Sequence, residues 1–131
     1  MIDSIINEVD KALKVLTVSS YPGRSRPDAN FKDSDTLTPK ERENHSKFMR
    51  VNHSGEICAQ ALYRGQIFFN QNKKIEKKLK EAATEELDHL AWCQSRIKEL
   101  GGSTSYINPI LYLGSFAIGS VASIIDEKYN L

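Results

Sequence analysis

The chain has few cysteines, almost no charge imbalance and no run that alternates as a β-strand does. Its two cysteines, Cys58 and Cys93, lack CxxC spacing, which argues against a disulfide framework and fits a reducing cytoplasm. The 18 basic and 17 acidic residues leave a net charge of +1. Because nucleic-acid-binding proteins usually carry a strongly basic face, we expect no nucleic-acid partner.

The composition of the chain is typical of one globular domain. Hydrophobic residues make up 40% and charged residues 27% of the 131 positions, which is typical of a folded chain with a modest core. The N-terminal stretch MIDSIINEVDKALKVL contains acidic residues and lacks a basic cluster, so we do not expect a secretory signal. We interpret 1–131 as a single domain.

Hydrophobic periodicity predicts four helices. Residues 1–18 have apolar side chains at the spacing of an amphipathic helix, whereas residues 19–37 contain two prolines, one glycine and many small polar residues and are predicted to be a loop. The other predicted helices are 38–72, 75–100 and 108–125, with the turn of an antiparallel hairpin near residues 71–74.

The predicted helix ends carry recognisable caps. TPKE at 38–41 is a capping box with proline in the first turn. Gly101-Gly102 is a plausible C-terminal cap, and Asn108-Pro109 is a second pairing of cap and first-turn proline. The predicted fold class is therefore all-α, an antiparallel helical bundle.

Small residues inside the predicted helices indicate close packing. Gly55 and Gly65 interrupt the second helix at a cost of roughly 1 kcal/mol each relative to alanine, which a close neighbouring helix or ligand would justify. Ser115, Gly119 and Ser123 recur every four residues in the fourth helix and form a face suited to close helix contact.

The stretch TEELDHLAW, residues 84–92, places Glu86 and His89 on one helix face, because positions i and i+3 are neighbours. In a hairpin that turns near Lys73, Glu56 lies about 26 Å before the turn and His89 about 24 Å after it. Two carboxylates and one imidazole at one level suit iron or manganese. Each half-site of a ferritin-like carboxylate protein uses this set, one Glu plus a Glu-x-x-His. The alternative is a surface pair, since a lone ExxH is common in helices.

Several neighbours of these three residues are candidates for further roles at the site. His53 shares the face of Glu56, and Asp88 adjoins His89. We expect both to support the metal ligands from behind rather than to bind metal. His45 is expected at the surface, and the cysteines as small buried residues.

Three segments of the chain resemble the demethoxyubiquinone hydroxylase family of ubiquinone biosynthesis. They are FMRVNHSGEICAQALYRGQ, EELDHLAWCQSRIKELGG and NPILYLGSFAIGSVA. The resemblance implies a ferritin-like fold and a centre of two iron ions that uses O₂ to hydroxylate a polyprenylated methoxy-benzoquinol. By the same resemblance, Glu56 binds one iron, Glu86 bridges both, and His89 completes the first half-site. It also places the fourth helix near the membrane and the prenyl tail.

The family has a second Glu and a second ExxH after the fourth helix, whereas no ExxH follows His89 here and the sequence ends at EKYNL. We expect this chain to be the N-terminal part of the bundle. Absent C-terminal helices or a second copy of the chain would then complete the centre.

The fourth helix also predicts a relation to the membrane. Tyr106 to Ile125 carry no formal charge, but a helix starting near Pro109 would have about 17 residues and span roughly 25 Å, against a hydrocarbon core of about 30 Å. We therefore expect a peripheral protein on the cytoplasmic face of the cell membrane.

The predicted function is an O₂-dependent di-iron monooxygenase that hydroxylates the ring of a demethoxyubiquinol. The expected partners are a polyprenyl quinol, O₂, the membrane surface, and either a second copy or other proteins of ubiquinone biosynthesis. The alternatives are an iron-storage or metal-binding module without substrate, an inactive fragment of the hydroxylase, and a helical scaffold without metal.

Overall fold

The computed structural model describes residues 1–17, 24–27 and 36–129, with side chains up to residue 126. Within these ranges the secondary structure is helical, without a strand, so the all-α prediction is confirmed. The predicted loop at 19–37 lies mostly outside the described residues. The four helices are α1 (Ile2–Thr17), α2 (Pro39–Phe69), α3 (Lys73–Glu99) and α4 (Asn108–Tyr129).

The α2–α3 hairpin turns earlier along the chain than predicted, through residues 70–72. The capping box at the start of α2 forms as expected, because Glu41 N donates to Thr38 Oγ1 at 3.2 Å and Thr38 N donates to the Glu41 carboxylate at 2.7 Å. However, α2 ends at Phe69 and not at residue 72, and α3 begins two residues before the predicted position 75. The reason is Asn72, whose side chain accepts from the backbone of the first turn of α3.

The end of α3 confirms the predicted glycine cap. Gly101 has a φ of 76°, a left-handed conformation that glycine adopts without strain. The backbone N–H groups of Gly101 and Gly102 donate to the carbonyls of Lys98 and Ile97, which is a Schellman motif.

Helix α4 is longer than predicted. It has 22 residues and continues past Ile125 to Tyr129, because no proline or glycine interrupts the DEKY sequence. A helix of 22 residues is about 33 Å long. The prediction that α4 is too short to cross a membrane is therefore wrong. Among the described residues, Asn108–Asp126 is a stretch of sufficient length and apolarity to cross a membrane, with a mean hydropathy of 1.5.

Helix α2 lies at the centre of the fold, with α3 and α4 packed against it and α1 contacting both α2 and α4. The buried core contains residues from all four helices. It consists of Val15, Ile57, Ala61, Leu90 and Tyr112, with Ala12, Leu16, Leu87 and Phe116 packed around it.

Two glycines allow the close approach of α2 and α4. A Cβ atom on Gly65 would overlap the backbone carbonyl of Phe116, and one on Gly119 would overlap that of Leu62. Ser123 is buried in the same region of α4, so the predicted packing face is present. Gly55 differs, because nothing described lies within 4 Å of the place its Cβ would occupy.

Candidate metal centre

Helices α2 and α3 bring three predicted residues together. Glu56 comes from α2, and Glu86 and His89 come from successive turns of α3. One donor atom from each residue lies within 4.8 Å of the donor atoms of the other two. The juxtaposition expected from the hairpin is therefore observed, while the role of these residues as metal ligands stays a prediction.

The imidazole of His89 presents Nδ1 to both carboxylates. Nδ1 lies 3.2 Å from Oε2 of Glu86 and 4.0 Å from Oε1 of Glu56. The two carboxylate side chains are each 24% exposed, whereas the His89 side chain is 43% exposed. The donors thus converge at the edge of the described helices, where an ion can enter.

The electrostatics of the cluster favour a cation. Burial raises the pKa of Glu56 to about 8, and the hydrogen bond and negative charge of Glu86 contribute further. Burial, followed by the charge of Glu56, also raises the pKa of the Cys93 thiol to about 11. Two carboxylates held this close repel each other in their charged forms, and a bound cation would relieve that repulsion.

A cavity of about 600 Å³ adjoins the cluster. Glu56 and His89 form part of its wall, and the rest comes from α2, α3 and the short segment 24–27. Met49, Trp92 and Pro27 contribute apolar surface to the same wall. A small molecule in this cavity would contact the candidate metal ligands directly.

His53 is buried one helical turn before Glu56, and its supporting role at the metal site stays a prediction. It is fully buried, and its Nδ1 lies 3.4 Å from the side-chain nitrogen of Asn108 at the start of α4. Ser54 Oγ donates to the side-chain oxygen Oδ1 of Asn108 at 2.7 Å. The pKa of His53 is lowered by burial, so the ring is held neutral. Its Nε2 has no hydrogen-bond partner among the described residues.

Asp88 is buried and accepts a hydrogen bond from Arg24 Nε at 2.7 Å. The two cysteines are free and half-buried, which is less buried than predicted. His45 is exposed, as predicted. Neither Arg24 nor Trp92 was predicted as part of the site. The available signal was the spacing of Trp92, which follows His89 by one helical turn.

The chain is similar to known proteins of one family. The family model described as ubiquinone biosynthesis protein COQ7 matches residues 43–131. The 3-demethoxyubiquinol 3-hydroxylase of Chromobacterium violaceum is 44% identical over 131 residues, which cover 100% of this chain and 63% of that protein. The proteins of the same name from Bordetella parapertussis and Legionella pneumophila are 45% and 43% identical over 99% of this chain and 59% and 62% of their own lengths.

The chain thus spans about three fifths of the length of these curated relatives. No solved structure matches the chain.

Proposed function

The chain belongs to the family of ubiquinone biosynthesis protein COQ7, and from this premise we propose that it takes part in hydroxylating the ring of a polyprenylated demethoxyubiquinol. The reaction would be that of an O₂-dependent di-iron monooxygenase. The names of the relatives support the reaction type. The convergence of Glu56, Glu86 and His89 is the observation in this chain that carries the proposal.

The residues fit iron by their chemistry. Carboxylate oxygens and an imidazole nitrogen are donors that iron accepts. Burial raises the pKa of Glu56 and the neighbouring Glu86 raises it further, and a bound cation would favour the charged form of both carboxylates. In this proposal Glu56, Glu86 and the Nδ1 atom of His89 hold iron, and the bound iron supplies the activation of O₂.

A complete centre of this type holds two ions and about six protein ligands, four glutamates and two histidines. Among the described residues there is one group of three potential metal ligands, Glu56, Glu86 and His89. We assign these three to the first half-site, and we propose that 1–131 is the N-terminal portion of a ferritin-like domain. The chain's residues then have two tasks, which are to neutralise part of the iron charge and to shape the adjoining cavity.

The substrate proposal is supported by apolar surface on the same bundle. A substrate with a polyprenyl tail lies in the membrane, so a protein that binds the membrane surface can reach its ring most easily. We therefore place the protein peripherally on the cytoplasmic face of the cell membrane. Helices α1 and α4 expose many large apolar side chains, among them Ile2, Ile5, Ile6, Val9, Ile110, Leu113, Ile118 and Val121.

A metal titration separates this proposal from a scaffold without metal. The purified chain is titrated anaerobically with Fe²⁺, and Glu86→Gln is compared with Glu85→Gln, which changes an exposed neighbour on the same helix. We expect Glu86→Gln to lose most of the binding and Glu85→Gln to retain it. Equal binding in both variants would refute the assignment of the ligands.

A second experiment separates the hydroxylase from an iron-storage module. The same two variants are placed in cells that depend on this protein for ubiquinone. We expect Glu86→Gln to accumulate the quinone precursor that lacks the added hydroxyl group, and Glu85→Gln to make ubiquinone normally. Normal ubiquinone in the Glu86→Gln cells would contradict the proposed function even if the chain binds iron.

A further inference from the structure

The short segment 24–27 is attached to the outer side of α3 by polar contacts. Arg24 Nε donates to Asp88 at 2.7 Å, and Trp92 Nε1 donates to the Arg24 carbonyl oxygen at 3.1 Å. Arg26 makes a two-pronged contact with the carboxylate of Glu99, at 2.9 and 3.1 Å. Each end of the segment therefore has its own attachment to α3.

Three side chains follow one another from this segment to the metal cluster. The guanidinium carbon of Arg24 lies 5.3 Å from the centre of the Trp92 ring, within the range of a cation–π contact. The Trp92 ring centre in turn lies 5.3 Å from that of His89. The imidazole is thus in contact with the indole on one side and with the carboxylate of Glu86 on the other.

His89 needs such a contact because its side chain is 43% exposed. A half-exposed imidazole samples several rotamers, and ordering it on binding costs free energy. Helix packing alone does not fix the imidazole, because Asp88 and Leu90, the residues beside His89 in the chain, occupy the buried side of this turn. The ring of Trp92, with its centre 5.3 Å from that of His89, occupies space that other orientations of the imidazole would need.

We propose that Arg24 and Trp92 are positioning residues that hold the His89 imidazole in its metal-binding orientation. Asp88 anchors Arg24, Arg24 covers Trp92, and Trp92 contacts His89. The segment would lower the cost of binding metal by ordering the ligand beforehand, as hydrogen-bonded partners of metal ligands do in other proteins. This inference rests on the proposed metal site, but its contacts can be tested without metal.

The first measurement uses the metal-free chain. In wild type, a nuclear Overhauser effect is expected between the ring protons of His89 and Trp92, whose centres lie 5.3 Å apart. Arg24→Ala should weaken it strongly and shift the emission of Trp92, the single tryptophan, to longer wavelength. Arg24→Lys keeps a cation against Asp88 and Trp92 and should restore both signals. An unchanged effect in Arg24→Ala would overturn the proposal.

The second measurement is metal affinity, with Co²⁺ as the probe and its visible absorption bands as the readout. We expect Arg24→Ala to bind about tenfold more weakly than wild type, with an altered spectrum. Arg24→Lys should lie within roughly threefold of wild type. The matched control is Arg50→Ala, which removes a half-buried arginine that donates to the Ser103 carbonyl oxygen and should leave affinity and spectrum unchanged.

The outcomes distinguish this inference from the proposed function. If wild type and His89→Ala bind Co²⁺ equally weakly, the metal assignment fails, and the Overhauser and emission data still decide whether Arg24 positions His89. If wild type binds well and Arg24→Ala matches it in affinity and spectrum, the positioning role is wrong and the metal site stands. Circular dichroism of each variant verifies that the helices are intact.

Discussion

Oε1 of Glu56 on α2 and Nδ1 of His89 on α3 lie 4.0 Å apart across the hairpin. The contact joins two helices, and the sequence of either helix alone does not specify which residues of the other it faces. It places a carboxylate and an imidazole at the same height, beside Glu86. The position of the candidate metal site therefore depends on the register of α2 against α3.

Replacement of His89 by alanine should reduce metal affinity much more than replacement of His45. His89 is one of three converging donors, whereas His45 is exposed near the start of α2. We expect at least about a tenfold loss for His89→Ala and none for His45→Ala, measured by anaerobic Fe²⁺ titration. Similar losses in both variants would mean that iron binds elsewhere.

Glu56 should make the stability of the metal-free chain depend on pH. Its pKa is about 8 in the folded chain, against 4.5 as the ordinary value. Between these values the folded state holds a proton that the unfolded state has released, so stability falls as pH rises from 4.5 to about 8.

The variant Glu56→Gln lacks this proton and isolates the effect from other titrating groups such as His53. In urea denaturation of the metal-free proteins, wild type should lose stability relative to Glu56→Gln across that pH window. A stability difference that is constant with pH would show that the Glu56 pKa is not raised.

Gly65→Ala should destabilise the chain by about 1–3 kcal/mol, the usual cost of overpacking. The added methyl group would overlap the backbone of α4 at Phe116, which cannot move aside as a side chain could. Gly55→Ala on the same helix is the matched control, because its Cβ would meet nothing within 4 Å. It should raise stability by up to about 1 kcal/mol through helix propensity. Thermal unfolding of both variants tests the difference in sign.

Asn108→Ala should destabilise the chain by roughly 1–3 kcal/mol, because it leaves the buried Nδ1 of His53 without its donor. The hydroxyl of Ser54 also loses its acceptor. Asn52→Ala is the control, since Asn52 is exposed on α2 and contacts the sulfur of Met49 only weakly, at 3.9 Å. Equal unfolding midpoints for the two variants would show that the His53–Asn108 contact contributes little.

Much of the fold was predictable because helix formation is a local property. The capping box of Thr38 and Glu41 and the left-handed Gly101 depend only on nearby residues, and both occur as predicted. The spacing of Glu86 and His89 puts them on one face of any helix. Residue counting from the turn was sufficient to bring Glu56 near them, because antiparallel helices joined by a short turn have nearly fixed register.

The remaining features depended on contacts between distant segments. Sequence periodicity did not predict that His53 contacts Asn108 or that Arg24 covers Trp92. The predicted end of α4 at residue 125 coincides with the end of the apolar run, whereas the charged residues that follow continue the helix readily. By itself the sequence determined the helices and their candidate ligands. The tertiary structure decided which side chains meet, because partner choice depends on the packing of all helices together.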